Sequence, residues 1–467
     1  MEAATVQEGL FDRALKRLLG AWAAVAGAAQ DEADIAGQMR ACLEAKGGEV
    51  SARGRSAQLA QAYRKADAEG RTAFLRTLAG FDADPAAVQA ACAAFAAATD
   101  PGERAAALAA LRRAATAPRV RLLTQFTSIP EGVKFLVDLR ADLMARAKDE
   151  PLLAALDEDL RGLLAAWFDV GFLELRRIDW NSPASLLEKL VGYEAVHEIR
   201  GWRDLKNRLD ADRRCYAFFH PAMAGEPLIF VEVALVRGLA DNVRALLDEK
   251  APVIDPQAAD TAIFYSISNC QRGLSGISFG NFLIKQVVDR LSRDLPNLKT
   301  FATLSPIPGF RRWLEERIAA GDELLTPEEG AALAEALAAS QNGEGAGQAE
   351  EASPLARLLV RRHWHREPSL VEAAKPPLLR LCARYLLAES DRRGKARDPV
   401  AHFHLSNGAR AERLNWLADA SEKGLRESLG LMVNYLYDRD TIEANHELYA
   451  AEGKRAASSA MRRLARG

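Results

Sequence analysis

The chain has 467 residues, more than one ordinary core accommodates, so two or three domains are expected. Its 49% hydrophobic and 27% charged content suits a packed globular protein and excludes a wholly disordered one. With 62 basic against 64 acidic residues the formal net charge is −2, which excludes a whole-protein cationic field for nucleic acid, and no stretch is long and apolar enough to span a bilayer.

The five cysteines, Cys42, Cys92, Cys215, Cys270 and Cys382, are odd in number, scattered and without a CxxC pair. They read as reduced thiols rather than a disulfide framework or a zinc site. Lys16-Arg17 ahead of an apolar run resembles a signal peptide, but Glu2, Glu8 and Asp12 precede it. Phe11, Leu15, Leu18 and Trp22 instead share one helical face. The terminal Leu-Ala-Arg-Gly is not a peroxisomal tripeptide, and a cytoplasmic location is expected.

The first 190 residues read as helical. Val133, Leu136, Leu139 and Leu143 form one apolar stripe; Leu153, Leu156, Leu160, Leu163, Leu164 and Trp167 form the next. The alanine-rich stretch 86–117 favours helix, with a turn at Asp100-Pro101-Gly102, and Ser182-Pro183 reads as a cap followed by proline at a helix start. No catalytic constellation occurs here, so residues 1–190 read as a helical domain serving as a bundle, scaffold or oligomer contact.

The pattern changes near Gly192. Cys215–Phe219, Leu228–Val236, Thr261–Ser268 and Leu298–Leu304 are β-branched and aromatic runs that read as strands, with Gly225-Glu226-Pro227 a turn between the first two. Phe282–Leu291 reads as a helix, giving a strand–helix–strand crossover in a mixed sheet. Thr326-Pro327-Glu328-Glu329 is a capping box. The segment 341–353 reads as a surface excursion, helices follow from Leu355 and over Pro376–Leu387, a last amphipathic helix is expected over Arg410–Ala420, and the tail beyond Leu448 is expected to fray.

Three places suit chemistry. The turn Asn269–Asn281 carries Gly273, Gly276 and Gly280, which permit close backbone approach to a ligand, and the helix start behind it favours anions such as a pyrophosphate. It is neither a Walker loop nor a GxGxxG fingerprint, and a tight structural turn is the competing reading. Ser305-Pro306-Ile307-Pro308-Gly309 lies just past a strand end, where ligands of open sheets tend to sit; a turn-forming serine is the plainer reading. His402-Phe403-His404 has no clustered third ligand, so no metal is expected; in an extended segment both imidazoles would share one face. His363-Trp364-His365 reads as a solvated basic face, and His197, His220 and His446 as structural residues.

The segments 261–268 and 273–285, Thr303-Leu304-Ser305-Pro306-Ile307-Pro308-Gly309-Phe310 and Phe403-His404-Leu405-Ser406-Asn407-Gly408-Ala409 resemble, in order and spacing, the malonyl-CoA decarboxylase family. Asn415-Trp416 and Gly430–Tyr435 continue the resemblance, which covers roughly residues 130–440. It implies an α+β protein. An N-terminal all-helical domain is followed, over 191–467, by a C-terminal mixed α/β catalytic domain resembling the GNAT-type N-acetyltransferase fold, although the acetyltransferase Arg/Gln-x-x-Gly-x-Gly/Ala spacing is not kept. It implies cofactor-free decarboxylation of malonyl-CoA to acetyl-CoA, with Ser305 and His404 catalytic. Ser275, Gly276, Ile277, Ser278, Phe279, Gly280 and Asn281 would bind substrate. It also implies self-association as a homo-oligomer, a tetramer being one form. A malonyl thioester loses carbon dioxide through an enolate that needs an oxyanion donor and a proton. Serine can orient the carboxylate without neutralising it, and a histidine with a near-neutral pKa can hold the oxygen and protonate carbon. Ser305 acting as a base relayed through His404 is the alternative assignment. An acyl-CoA-dependent N-acyltransferase is the alternative function.

Overall fold

The structure, a computed structural model, describes Arg17 and residues 35–44, 48–277, 283–340 and 352–466. The helix expected over Phe11–Trp22 and nearly all of the excursion at 341–353 lie outside the described residues. The chain forms two compact units. One comprises the chain to Glu174, the connection Phe219–Leu228 and a segment from Gln271; the other holds the remainder.

The first unit is helical. Apolar stripes at spacings of three and four bury Leu136, Leu139 and Leu143 of Gly132–Met144 and Leu153, Leu156, Leu160 and Leu164 of Pro151–Trp167. The helices Pro85–Ala97 and Pro101–Ala115 are capped by Asp84 and Asp100, pack against each other and bury none of their residues. The turn expected at Asp100-Pro101-Gly102 is this second start.

The second unit holds an eight-stranded mixed sheet: β1 Glu174–Ile178, β2 Arg213–Phe219, β3 Ile229–Val236, β4 Thr261–Asn269, β5 Thr300–Thr303, β6 Ser305–Pro306, β7 Arg410–Asn415 and β8 Met432–Leu436, in spatial order β1-β2-β3-β4-β5-β8-β6 with β7 also on β8. β2–β3, β3–β4, β5–β8, β6–β8 and β7–β8 pair antiparallel, and β4–β5 is parallel across the helical crossover Leu283–Asp294. The fold class is therefore α+β, as expected.

Several local expectations change. A strand, β1, lies inside the region read as all-helical, and the compact units break near Glu174 rather than near residue 190. Pro183, not Ser182, precedes the helix Ala184–Tyr193; the Ser182 hydroxyl accepts the Asp179 N–H instead. The helix expected from Pro376 begins at Pro368 and runs through Pro376 and Pro377. Residues 410–415 form β7 rather than a helix, because pairing with β8 overrides helix-favouring Ala, Glu, Arg and Leu. The tail does not fray: Ser459–Arg466 is a helix with Met461 buried.

Candidate active site

β4 pairs with β5 only from Thr261 to Phe264, opposite Thr300 to Thr303, yet continues to Asn269. Past that point the two parallel strands part. A cavity of about 260 Å³ opens there, lined on one side by Tyr265, Ile267 and Asn269 and on the other by Ser305, Phe403 and His404. None of the described residues that line it is Lys, Arg, Asp or Glu.

One sheet face builds the polar end of this cavity. Ala302 lies opposite Leu436 and Ser305 opposite Val433, so Thr303 falls opposite Tyr435. Side chains alternate along strands, which sends Thr303, Ser305, Tyr435 and Tyr437 to one face. There the Ser305 hydroxyl donates to Thr303 Oγ1 at 2.8 Å, and Thr303 Oγ1 also accepts the Tyr435 N–H at 3.1 Å. His404 Nε2 is 3.0 Å from Ser305 Oγ, and Nδ1 is 2.8 Å from the Tyr437 hydroxyl. With Ser305 donating to Thr303, Nε2 carries the hydrogen toward Ser305 and Nδ1 accepts from Tyr437. The Tyr435 ring stacks on the imidazole, centroids 4.6 Å apart at 25°.

His404 and Ser305 are 3% and 4% exposed. Burial alone lowers the His404 pKa to about 3, so the near-neutral value expected from sequence is not met and the ring is neutral. His404 and His402 sit on a helix, Pro399–Ser406, not in an extended segment, and so do not share a face. His402 Nδ1 meets the Tyr449 hydroxyl at 2.8 Å instead. The reading of His363-Trp364-His365 as a solvated face is half met: His363 is exposed, but Trp364 is buried.

In the helical unit, the glycine-rich turn is described to Ile277; Ser278, Phe279, Gly280 and Asn281 lie outside the described residues. Gly276 has φ +76°, the left-handed conformation its sequence suggested. Gly273 serves packing rather than ligand approach: a Cβ there would lie 1.8 Å from the Val137 carbonyl oxygen. Arg140, 2% exposed, pairs with Asp157 at 2.9 Å and donates to the carbonyls of Gly273 and Ser275 at 2.7 and 2.9 Å. Ser275, Gly276 and Ile277 thus sit on a turn clamped by a buried guanidinium.

Sequence reading gave no role to Thr303 and Tyr435, which lie within the matched strings, and missed Tyr437, Arg140 and Asp398. Thr303 and Tyr437 each sit two residues from a residue already singled out or matched, a strand spacing that could have flagged them. Among the described residues no group of three His, Cys, Asp or Glu side chains converges as a metal site would. The five cysteines are free, Cys92 exposed and the others buried. No helix among the described residues is long and apolar enough to cross a membrane.

Comparison with known proteins places this arrangement. The malonyl-CoA decarboxylase C-terminal domain matches residues 171–467 and the malonyl-CoA decarboxylase N-terminal domain matches residues 81–168. The mitochondrial malonyl-CoA decarboxylases of Anser anser anser and Rattus norvegicus are 41% and 40% identical over 345 and 338 residues, 71% and 70% of this chain. The match spans 66% of the length of each of these relatives. The crystal structure of malonyl-CoA decarboxylase from Rhodopseudomonas palustris superimposes with TM-score 0.83 at 42% identity, covering 92% of this chain and 98% of that one. That from Agrobacterium vitis gives 0.81 at 43%, covering 93% and 100%. The chain belongs to the malonyl-CoA decarboxylase family.

Proposed function

We propose that this protein decarboxylates malonyl-CoA to acetyl-CoA and carbon dioxide without a cofactor, using Ser305 and His404. The observation that carries this reading is a hydrogen-bonded serine and neutral histidine at the polar end of a cavity without a lining cation. A cation beside the malonyl carboxylate would stabilise the ground state and oppose loss of its charge. Ser305 supplies a neutral hydroxyl to orient the carboxylate. His404 supplies Nε2–H to the thioester oxygen, where charge develops. The carbon–carboxylate bond breaks, its electron pair enters the thioester π system, and the Nε2 proton forms the new carbon–hydrogen bond. As Nε2 gives up its proton the Tyr437 hydroxyl passes its own to Nδ1, which keeps the imidazole neutral, and a solvent proton restores Tyr437 and the starting tautomer after the products leave, so one proton is consumed per turnover.

The stretch Ser275–Asn281 is assigned to substrate binding; the Arg140 clamp on the Ser275 carbonyl fixes the described start of this stretch. Self-association is assigned to the helical region, a tetramer being one form. Its support is the hairpin Pro85–Ala115, where Val88, Phe95, Leu108 and Leu111 stay partly exposed. A cytoplasmic location belongs to the same reading and rests on the free thiols; the goose and rat relatives carry mitochondrial names, and fractionation of the native host decides between the two.

The test is incubation with malonyl-CoA alone, in excess EDTA. Acetyl-CoA and carbon dioxide should form. A requirement for an amine acceptor would indicate an N-acyltransferase, and loss of turnover on chelation, restored by one divalent metal, would refute the cofactor-free chemistry.

A further inference from the structure

The helix that carries His404 begins at an aspartate doing two tasks. Asp398 Oδ1 accepts the N–H groups of Val400 and Ala401, each at 3.0 Å, as an N-cap does, with Pro399 in the first turn. Its other oxygen, Oδ2, accepts the Gly309 N–H at 3.2 Å and the Tyr385 hydroxyl at 3.4 Å. A cap requires only the first pair. Asp398 is 1% exposed, and its four donors are all uncharged groups. Burying a second carboxylate oxygen is costly unless it is hydrogen-bonded, so the bonds to Gly309 and Tyr385 are part of what makes this placement tolerable.

Gly309 closes the stretch Ser305-Pro306-Ile307-Pro308-Gly309, whose two prolines have fixed φ and leave little slack, and it precedes the helix Phe310–Ala319. A Cβ on Gly309 would lie 2.1 Å from the Tyr385 hydroxyl, so the backbone reaches this carboxylate only because no side chain is present. On the other side, five residues of helix separate Asp398 from His404. Two stiff arms therefore leave one carboxylate and meet again where Ser305 Oγ faces His404 Nε2 at 3.0 Å.

We propose that Asp398 is a positioning residue: it straps the start of the Phe310–Ala319 helix to the start of the Pro399–Ser406 helix and thereby sets the separation of Ser305 and His404. The proposal rests on the decarboxylase reading for its kinetic test and on geometry alone for its spectroscopic one.

Asp398→Asn retains Oδ1 for the cap, since Asn caps as well as Asp, but turns an NH₂ donor toward the Gly309 N–H. In the full chain, kcat for malonyl-CoA should fall about 10- to 100-fold, the cost of misplacing a reacting group, while KM and acetyl-CoA affinity stay within about threefold. Introduced into His404→Ala, the same change should cost under about twofold, because the group being positioned is gone. The ¹⁵N imidazole shifts of His404, assigned by their loss in His404→Ala, should move while those of His197, His220, His363 and His365, which lie off this helix, stay. Unchanged kcat in Asp398→Asn, an equal fold-loss in both backgrounds, or unmoved His404 shifts would each overturn the proposal. Should Asp398→Asn fail to fold, Tyr385→Phe removes one donor to the same oxygen and should lower kcat by about threefold with a smaller His404 shift; neither change appearing would overturn it equally. A wild-type chain inactive on malonyl-CoA refutes the decarboxylase reading instead, and the imidazole shifts still decide the strap.

Discussion

The Ser305–His404 pair and the turn 271–277 are held by opposite means. Around His404, side chains from β5, β6, one helix and Tyr437, just past β8, bond to one another, and each polar atom of the ring has a partner. At the turn, backbone is held by one buried guanidinium, and a glycine sits where any side chain would meet the Val137 carbonyl. A network of side chains fixes where a proton goes, whereas the clamped turn fixes the course of the backbone, its Leu274, Ser275 and Ile277 N–H groups closing on carbonyls of the turn itself. The first arrangement should therefore govern turnover and the second affinity.

The largest effect expected from this contrast is on turnover. His404→Ala should lower kcat by on the order of 100-fold or more, and Ser305→Ala comparably, with acetyl-CoA affinity by calorimetry nearly unchanged. Near-normal turnover in His404→Ala would remove the pair from the chemistry. Arg140→Met should do the reverse. It leaves Asp157 and two carbonyls without their donor, so melting should drop by the equivalent of about 3 kcal/mol and acetyl-CoA should bind about tenfold more weakly, with kcat at saturation largely kept. Equal losses of kcat and affinity would erase the distinction.

A smaller effect is expected at Tyr437. Tyr437→Phe removes the donor to Nδ1 and should lower kcat by about tenfold without altering acetyl-CoA affinity. Smallest is the acid response. Burial lowers the His404 pKa from 6.5 to about 3, so the unfolded chain takes up a proton that the folded one refuses. Tyr435 and Tyr437, which pack on the ring, are raised by burial and stay uncharged. The contribution of His404 is therefore present above pH 6.5 and is lost as pH falls from there toward 3. His404→Gln should lose less stability than wild type over that window in denaturant titrations. For the same reason, kcat/KM should show no His404 limb near pH 6.5.

Sequence periodicity marked the stripes at 133–143 and 153–167, because each helix buries one face, and unbroken apolar runs marked β2, β3 and β4, because these strands are buried on both faces. It failed at 410–415, where helix-favouring residues are recruited as a strand by β8, and at the tail, where Met461 is buried through tertiary packing. Ser305 and His404 were legible from the strings around them, but only as candidates.

What the sequence by itself determined is the set of stiff local pieces: prolines at 306 and 308, glycines at 273 and 276, and strands whose alternation sends Thr303 and Ser305 to one face. Those follow from steric limits within a few residues. Only the tertiary structure decided that residue 305 meets residue 404, that Tyr437 reaches Nδ1, and that Arg140 closes on Ser275 from 135 positions away. These contacts depend on strand register and helix docking, which are set by burying the whole core at once, and no local pattern encodes them.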